Sequence, residues 1–267
     1  RELSGSIGFV SSEVKFILNK KGEPVDVFFK KTLSTNYLIE EFMLLANKTV
    51  AKHIGFSKTK NLPFVYRIHD LPDNEKITVL SGIVKKLGYS IDNRSSKNLS
   101  LSLNLLLKNI KGQPEQQLVE VLVIRSMAKA IYSTNNIGHY GLGFDFYSHF
   151  TSPIRRYPDL IIHRLLKNYL LKKPNSKDNS LFLEKLCGYC SKKEKEASSA
   201  ERDSIKYMQV KYLKTRIGDS YDGFISGVTD WGFYVEIIKN KCEGLVKVSS
   251  LKDDHYVYNE KNQSLIE

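Results

Sequence analysis

The apolar periodicity of this chain predicts an α+β fold, in which helices and antiparallel strands share a large first domain and a small strand domain follows. Three observations carry that reading. Residues 6–31 alternate with a period of two, several stretches between 37 and 215 repeat apolar side chains at helical spacing, and from Gly218 the period returns to two. The expected domains are therefore 1–216 and 217–267.

Residues 6–31 read as two antiparallel strands, with Val14, Phe16 and Leu18 on one face and Lys20-Lys21-Gly22-Glu23 as the hairpin turn. Asn36 is a plausible N-cap for a helix over 37–54, whose face is Leu38, Phe42, Leu45, Ala46 and Val50. A linker containing Pro63 and Pro72 follows. Residues 73–87 and 115–133 read as amphipathic helices, with a polar stretch near 90–100 and a short helix at 101–108 between them. Glycine, asparagine and aromatics over 134–152 indicate a loop. Helices are expected again at about 158–171 and, with mixed charge, at 180–215. Beyond Gly218 the strand residues are Tyr221, Phe224, Ile225, Phe233, Val235 and Ile237.

Lysine and arginine total 41 against 29 aspartates and glutamates, a formal charge of +12 in 267 residues. Solubility alone can account for such an excess, but it also suits a polyanion, and 15 Tyr with 13 Phe supply faces on which bases stack. Single-stranded nucleic acid is the expected partner. No stretch of about 18 apolar residues occurs and no charged-then-apolar leader opens the chain, so no membrane span and a cytoplasmic, monomeric protein are expected. Cys187, Cys190 and Cys242 cannot build a disulfide framework. Cys187-Gly188-Tyr189-Cys190 has metal-ligand spacing but no second pair to complete four ligands, which favours two cysteines on one helix face. The chain opens at Arg1, without methionine and inside an apparent strand, and so reads as a piece of something longer.

The segment His149-Phe150-Thr151-Ser152-Pro153-Ile154-Arg155-Arg156-Tyr157-Pro158-Asp159 carries the most chemistry. Ser152-Pro153 has the pattern of an N-cap and first helical residue, where free N–H groups attract anions. Arg155 and Arg156 then fall where the helix dipole disfavours cations by roughly 0.3–1 kcal/mol each. A phosphate would compensate, met by backbone N–H groups and by guanidinium forks. Pro158 is expected to interrupt the turn and make a short rigid corner. Upstream, His139-Tyr140-Gly141-Leu142-Gly143-Phe144-Asp145-Phe146-Tyr147 mixes glycines with aromatics near which a ligand could lie. The plainer alternative is a packed aromatic loop with both arginines paired to Asp145 and Asp159, and with His149 and His163 satisfied structurally.

This block closely resembles the signature of the ribonuclease II and ribonuclease R family (RNB). Leu38-Ile39-Glu40-Glu41-Phe42-Met43-Leu44-Leu45-Ala46-Asn47, Arg125-Ser126-Met127 with Ala130 and Tyr132, and Gly138-His139-Tyr140-Gly141-Leu142 are similar to the family as well. The resemblance implies part of a processive, hydrolytic 3′-to-5′ exoribonuclease that releases nucleoside 5′-monophosphates with the help of magnesium. Residue by residue, it implies that Arg155 grips the phosphate at the cut and that Arg156, Tyr140 and His149 contact RNA. Glu40 would touch the terminal nucleotide and Phe9 would stack on bases. A solvated acidic residue and an ordinary strand core residue are the respective alternatives for those two. Glu201 and Arg125 resemble further family positions without an assigned role.

The family's magnesium site needs closely spaced aspartates, and none is found here. Asp70 with Asp73 and Asp253 with Asp254 are isolated pairs, better read as turn residues. This segment is therefore expected to lack metal ligands and to be inactive alone. A non-catalytic RNA-binding protein on the same scaffold is the alternative.

Gly218-Asp219-Ser220-Tyr221-Asp222-Gly223-Phe224-Ile225, Val228 to Val235 and Glu243-Gly244-Leu245-Val246 resemble the RNA-binding OB-fold of ribosomal proteins. Phe224, Phe233 and Tyr234 would offer a stacking platform, about half of these aromatics facing inward, and Lys247 and His255 would reach phosphates. The chain stops at Glu267, before the last strands of such a barrel, so a truncated, partial barrel is expected.

Overall fold

The computed structural model describes residues 5–8, 13–56, 62–172, 179–252, 256–259 and 264–266. Phe9, Asp253, Asp254 and His255 lie outside the described residues. In chain order the elements are β1 (Glu13–Leu18), β2 (Pro24–Lys30), α1 (Ser34–Gly55), β3 (Tyr66–Ile68), α2 (Asn74–Lys86), α3 (Ser96–Asn109), α4 (Gln116–Ser126) and β4 (Ile131–Ser133). There follow α5 (Tyr157–Leu170), α6 (Ser180–Lys214), β5 (Gly223–Thr229), β6 (Gly232–Ile237), β7 (Glu243–Lys247), β8 (Val257–Asn259) and β9 (Ser264–Ile266). Helices and small antiparallel sheets make this an α+β fold. The chain forms two compact units, each drawn from separated segments.

The first unit takes residues 1–7, 32–72 and 128–199. Its core joins Ala51 and Ile54 of α1, Phe64 and Val65 ahead of β3, Ile162 and Leu165 of α5, and Leu183 and Cys187 of α6. β3 pairs antiparallel with β4, placing Arg67 opposite Tyr132. α1 begins earlier than its expected cap: Leu33 is the N-cap, and Asn36, inside the first turn, accepts the Leu33 N–H at 2.9 Å. The face expected to be buried is also displaced. Leu38 and Phe42 are 56% and 62% exposed, whereas Asn47, Ala51 and Ile54 are buried. The packed neighbours of α1 cover only its carboxy-terminal half, so helical periodicity located the helix but not its covered face.

The second unit takes residues 8–31, 73–127 and 200–267. The β1–β2 hairpin turns where expected, with Gly22 at φ 74° and the Asn19 carboxamide oxygen accepting the Lys21 and Glu23 N–H groups. Val14 and Phe16 are half-buried, but Leu18 is exposed. α2, α3 and α4 pack around Leu80, Leu103 and Val123. Asp73 caps α2 by accepting from the Glu75 N–H, which explains its place in a turn. α3 is longer than expected, because Ser95 accepts the Asn98 N–H at 3.1 Å and starts the helix at Ser96. α4 is shorter. Met127 is extended with ψ 142°, and the residues that follow join β4 rather than continuing the helix to 133.

α6 runs for 35 residues. Cys187 and Cys190 are both buried free thiols on its core-facing side, and burial pushes the Cys187 thiol up to about 12. β5, β6 and β7 form an antiparallel sheet, with a bulge at Ser226, and β8–β9 make a separate ladder. Among the described residues the strand domain thus holds five short strands in two sheets. Gly232 turns β5 into β6 where a Cβ would lie 2.2 Å from the Val246 carbonyl oxygen, so a residue without a side chain is needed there. No helix among the described residues is long and apolar enough to cross a membrane.

Candidate functional site

The corner sits between the loop 134–152 and α5, and its backbone is held at successive points. Arg67 donates its N–H to the Tyr147 carbonyl at 3.0 Å, and the Ser148 hydroxyl donates to the Val65 carbonyl at 2.6 Å. The Phe150 N–H donates to the Asn47 side-chain oxygen at 2.8 Å, so buried Asn47 ties α1 to a residue 103 positions away. On its other side the Phe150 carbonyl accepts from the His163 Nε2 at 2.9 Å, and the two rings stack 3.9 Å apart. That bond requires the His163 proton on Nε2.

Ser152 closes the turn. Its carbonyl accepts the Arg155 and Arg156 N–H groups at 3.3 and 3.0 Å, giving one helical turn over 153–155. The longer helix starts afresh, with Arg156 as the N-cap of α5 and Pro158 in its first turn. Pro158 therefore opens α5 instead of interrupting the preceding turn, since the first turn does not need the N–H that proline lacks.

The two arginines have different surroundings. Arg156 Nη2 lies 2.8 Å from Asp159 Oδ2; their side chains are 18% and 0% exposed. Asp159 Oδ2 also accepts the Ser152 N–H at 2.7 Å. Asp159 stands in the first turn of α5, where the helix dipole favours an anion. The negative charge that Arg156 requires is thus internal. Arg155 is exposed and, among the described residues, its side chain makes no ion pair or hydrogen bond. Asp145 is not its partner. Two arginines and one aspartate leave one uncompensated cation at the corner, on Arg155.

Behind the corner lies a stack of aromatic and imidazole rings. His69 and His139 are parallel at 5.0 Å, and Tyr140 stacks on the other rings through His69 at 6.3 Å. Tyr147 meets both His139 and His149 edge-on. The Tyr132 hydroxyl and His149 Nδ1 are 2.8 Å apart. Burial, reinforced by Arg156 and Arg67, pushes His149 down to about 2, and burial pushes His139 to about 3. Both rings are neutral near pH 7. Burial also raises the Tyr132 phenol, and raises Tyr140 to about 12. Arg67 pairs with Glu194 at 2.6 and 3.1 Å and covers the Tyr132 ring at 4.6 Å. Tyr140 and His149 are thus built into a packed wall, as the plainer alternative for this loop had it.

The remaining candidates are dispersed. Glu40 is exposed near the start of α1. In the strand domain Phe224 is half-buried, with Lys241 Nζ 5.0 Å from its ring centre. Phe233 and Tyr234 are successive residues of β6 and face opposite sides, so one of each adjacent pair points inward. Tyr234 turns toward Gly227, near the Arg125 guanidinium. Lys247 is exposed at the end of β7. Trp231, 57% exposed in the β5–β6 turn, is a stacking candidate that strand periodicity missed, because it stands between strands. Asn47 carried no local signal, whereas the plainer reading of the sequence names Asp159 as a partner for the arginines and His163 as structurally satisfied; the structure gives Asp159 to Arg156 and His163 to the Phe150 carbonyl.

The RNB domain family model matches residues 1–172, and the S1 RNA binding domain model matches residues 214–265. Ribonuclease R of Aquifex aeolicus is 40% identical over 263 residues, covering 98% of this chain and 37% of that protein. Ribonuclease R of Thermotoga maritima is 40% identical over 274 residues, covering 100% and 38%. The chain thus spans little more than a third of the length of these curated relatives. Among solved structures, Mycoplasma genitalium RNase R in complex with ribose methylated single-stranded RNA superposes with a TM-score of 0.90 at 28% identity, covering 99% of this chain and 42% of that one. Yeast Ssd1, described as a pseudonuclease, shares the fold at a TM-score of 0.70 and 24% identity, covering 86% and 29%.

Proposed function

Because this chain belongs to the RNB family, we propose that it is part of a hydrolytic 3′-to-5′ exoribonuclease that takes single-stranded RNA and releases nucleoside 5′-monophosphates. The observation that supports this most strongly is the corner, where Arg155 is an exposed cation, unpaired among the described residues, on a backbone held at Tyr147, Phe150 and Ser152. A guanidinium presents two parallel N–H donors to two phosphate oxygens. Charge grows on those oxygens as water adds at phosphorus, and a donor already in place stabilises it without reorganisation at that moment. Arg156, engaged with Asp159, acts as a support for the corner more than as a ligand. Glu40, Tyr140 and His149 line or back the terminal nucleotide's site, with His149 neutral. The S1 segment contributes Phe224, Phe233, Trp231 and Lys247 to RNA; Tyr234, turned toward Arg125, supports that surface from within.

Magnesium is the metal this family's chemistry calls for, but the described residues do not fit it: among them no group of three or more His, Cys, Asp or Glu side chains could hold a metal ion. This segment supplies the phosphate grip, and its isolated form is expected to be inactive. The test uses the complete gene product with magnesium and a 5′-labelled RNA bearing a single-stranded 3′ end. Progressive shortening from the 3′ end with release of mononucleotides is expected, and Arg155→Ala should lower turnover by roughly 10²–10³-fold with little change in RNA affinity. RNA that is bound yet left intact would instead make the protein a non-catalytic binder, a reading with which the fold shared with the Ssd1 pseudonuclease is compatible. Equal loss of turnover and affinity in Arg155→Ala would remove Arg155 from the reaction.

A further inference from the structure

We infer that Asp159 is a positioning residue for Arg155, a role that rests on the exonuclease reading above. Its carboxylate clamps both ends of the short loop that carries Arg155. At one end Oδ2 accepts the Ser152 N–H at 2.7 Å, and at the other it holds Arg156 Nη2 at 2.8 Å. Arg155 lies between them, with its own N–H committed to the Ser152 carbonyl at 3.3 Å. Pro153 and Pro158 remove φ freedom on either side.

The chemistry selects between the two neighbouring cations. A carboxylate with no solvent exposure requires hydrogen bonds and a counter-charge, and Arg156 supplies the charge. Arg156 Nε and Asp159 Oδ1 are buried without a hydrogen-bond partner, so the pair is joined through a single contact. The carboxylate therefore holds Arg156 by charge and by one hydrogen bond, not by a two-bond fork, and the uncommitted Arg155 is the residue left facing outward. With its charge neutralised, residue 159 would leave Arg156 an unpaired, largely buried cation able to swing outward and compete for the same phosphate. A displacement of about 1 Å in a reacting group can cost on the order of 10²-fold in rate.

An ordinary structural role for Asp159 would lower stability without reference to Arg155, so the test is a double-mutant cycle in the complete gene product. Single-turnover cleavage of a 3′-single-stranded RNA, RNA affinity and thermal stability are measured for Asp159→Asn, Arg155→Ala and their combination. Asp159→Asn should slow cleavage by roughly 10–100-fold with less than about threefold change in affinity, and should add less than about twofold in the Arg155→Ala background. If Asp159→Asn fails to fold, Asp159→Asn combined with Arg156→Gln keeps a hydrogen-bonded pair without a buried charge. That variant should retain most of the cleavage rate and show the same dependence on Arg155. Effects of residues 155 and 159 that multiply would overturn the positioning role while leaving the function intact. Arg155→Ala that cleaves normally would overturn the role of Arg155 and with it the positioning role while leaving the exonuclease reading intact, whereas a wild-type gene product that leaves RNA intact would overturn the functional reading itself.

Discussion

Lowering the pH from 7.5 to 5 should destabilise this protein, with His149 contributing roughly 2 kcal/mol of the loss. The ring is pushed from its ordinary 6.5 to about 2, chiefly by burial and then by the Arg156 and Arg67 charges. Between those two values the unfolded chain binds a proton that the folded protein refuses. Stability from this group is therefore complete above pH 6.5 and declines as pH falls toward 2, by about 1.4 kcal/mol per unit. At pH 5, about 1.5 units below the unfolded value, the loss is near 2 kcal/mol, and it depends only on the folded value lying well below 5. His139, pushed to about 3 by burial and by its stacked neighbour His69, acts in the same direction. The Tyr132 phenol, kept protonated, shares a hydrogen bond with His149 Nδ1 at 2.8 Å. Urea unfolding at constant ionic strength across pH 7.5 to 5 measures the slope, and His149→Gln, which keeps an acceptor for Tyr132, should make it shallower. Stability that is flat across this range, or a His149 ring resonance that titrates near 6.5, would refute the argument.

Two further changes test the framework around the site. Leu103 of α3 has no solvent exposure, and Leu103→Ala should cost roughly 2–5 kcal/mol in urea unfolding; a loss under about 1 kcal/mol would mean that the α2–α4 layer does not pack around it. Gly232→Ala places a Cβ 2.2 Å from the Val246 carbonyl oxygen, so β6 and β7 must separate locally, and amide exchange should accelerate through both strands. Unchanged protection at Tyr234 and Val246 would argue against that close approach.

The helices at α1, α2, α5 and α6, the β1–β2 hairpin and the return to strand periodicity after Gly218 were all legible from local pattern. The corner was legible in part: Ser152-Pro153 begins a single turn that carries the arginines, but α5 is capped at Arg156 and opens through Pro158, and Asp159 supplies the charge that Arg156 requires. Less legible was the end of α4. Residues 127–133 continue an apolar pattern that suits a helix, but Tyr132 pairs with Arg67, 65 positions earlier, and that pairing takes the segment into β4. The start of α3 was missed for the opposite reason: a single hydroxyl, that of Ser95, recruits a polar stretch into the helix.

The sequence by itself placed most of the helices, the first hairpin and the later strands, and a cation-rich turn ahead of α5. Periodicity, caps and prolines act over three or four residues, and those features require nothing more. Only the tertiary structure decided which face of α1 is covered, that His149 belongs to a packed, neutral wall, and that Asp159 takes Arg156 and leaves Arg155 open. Each of these depends on groups brought together from distant positions, such as Asn47 against Phe150, and on burial, which sets the charge state of a ring or carboxylate and cannot be read from its neighbours in the chain.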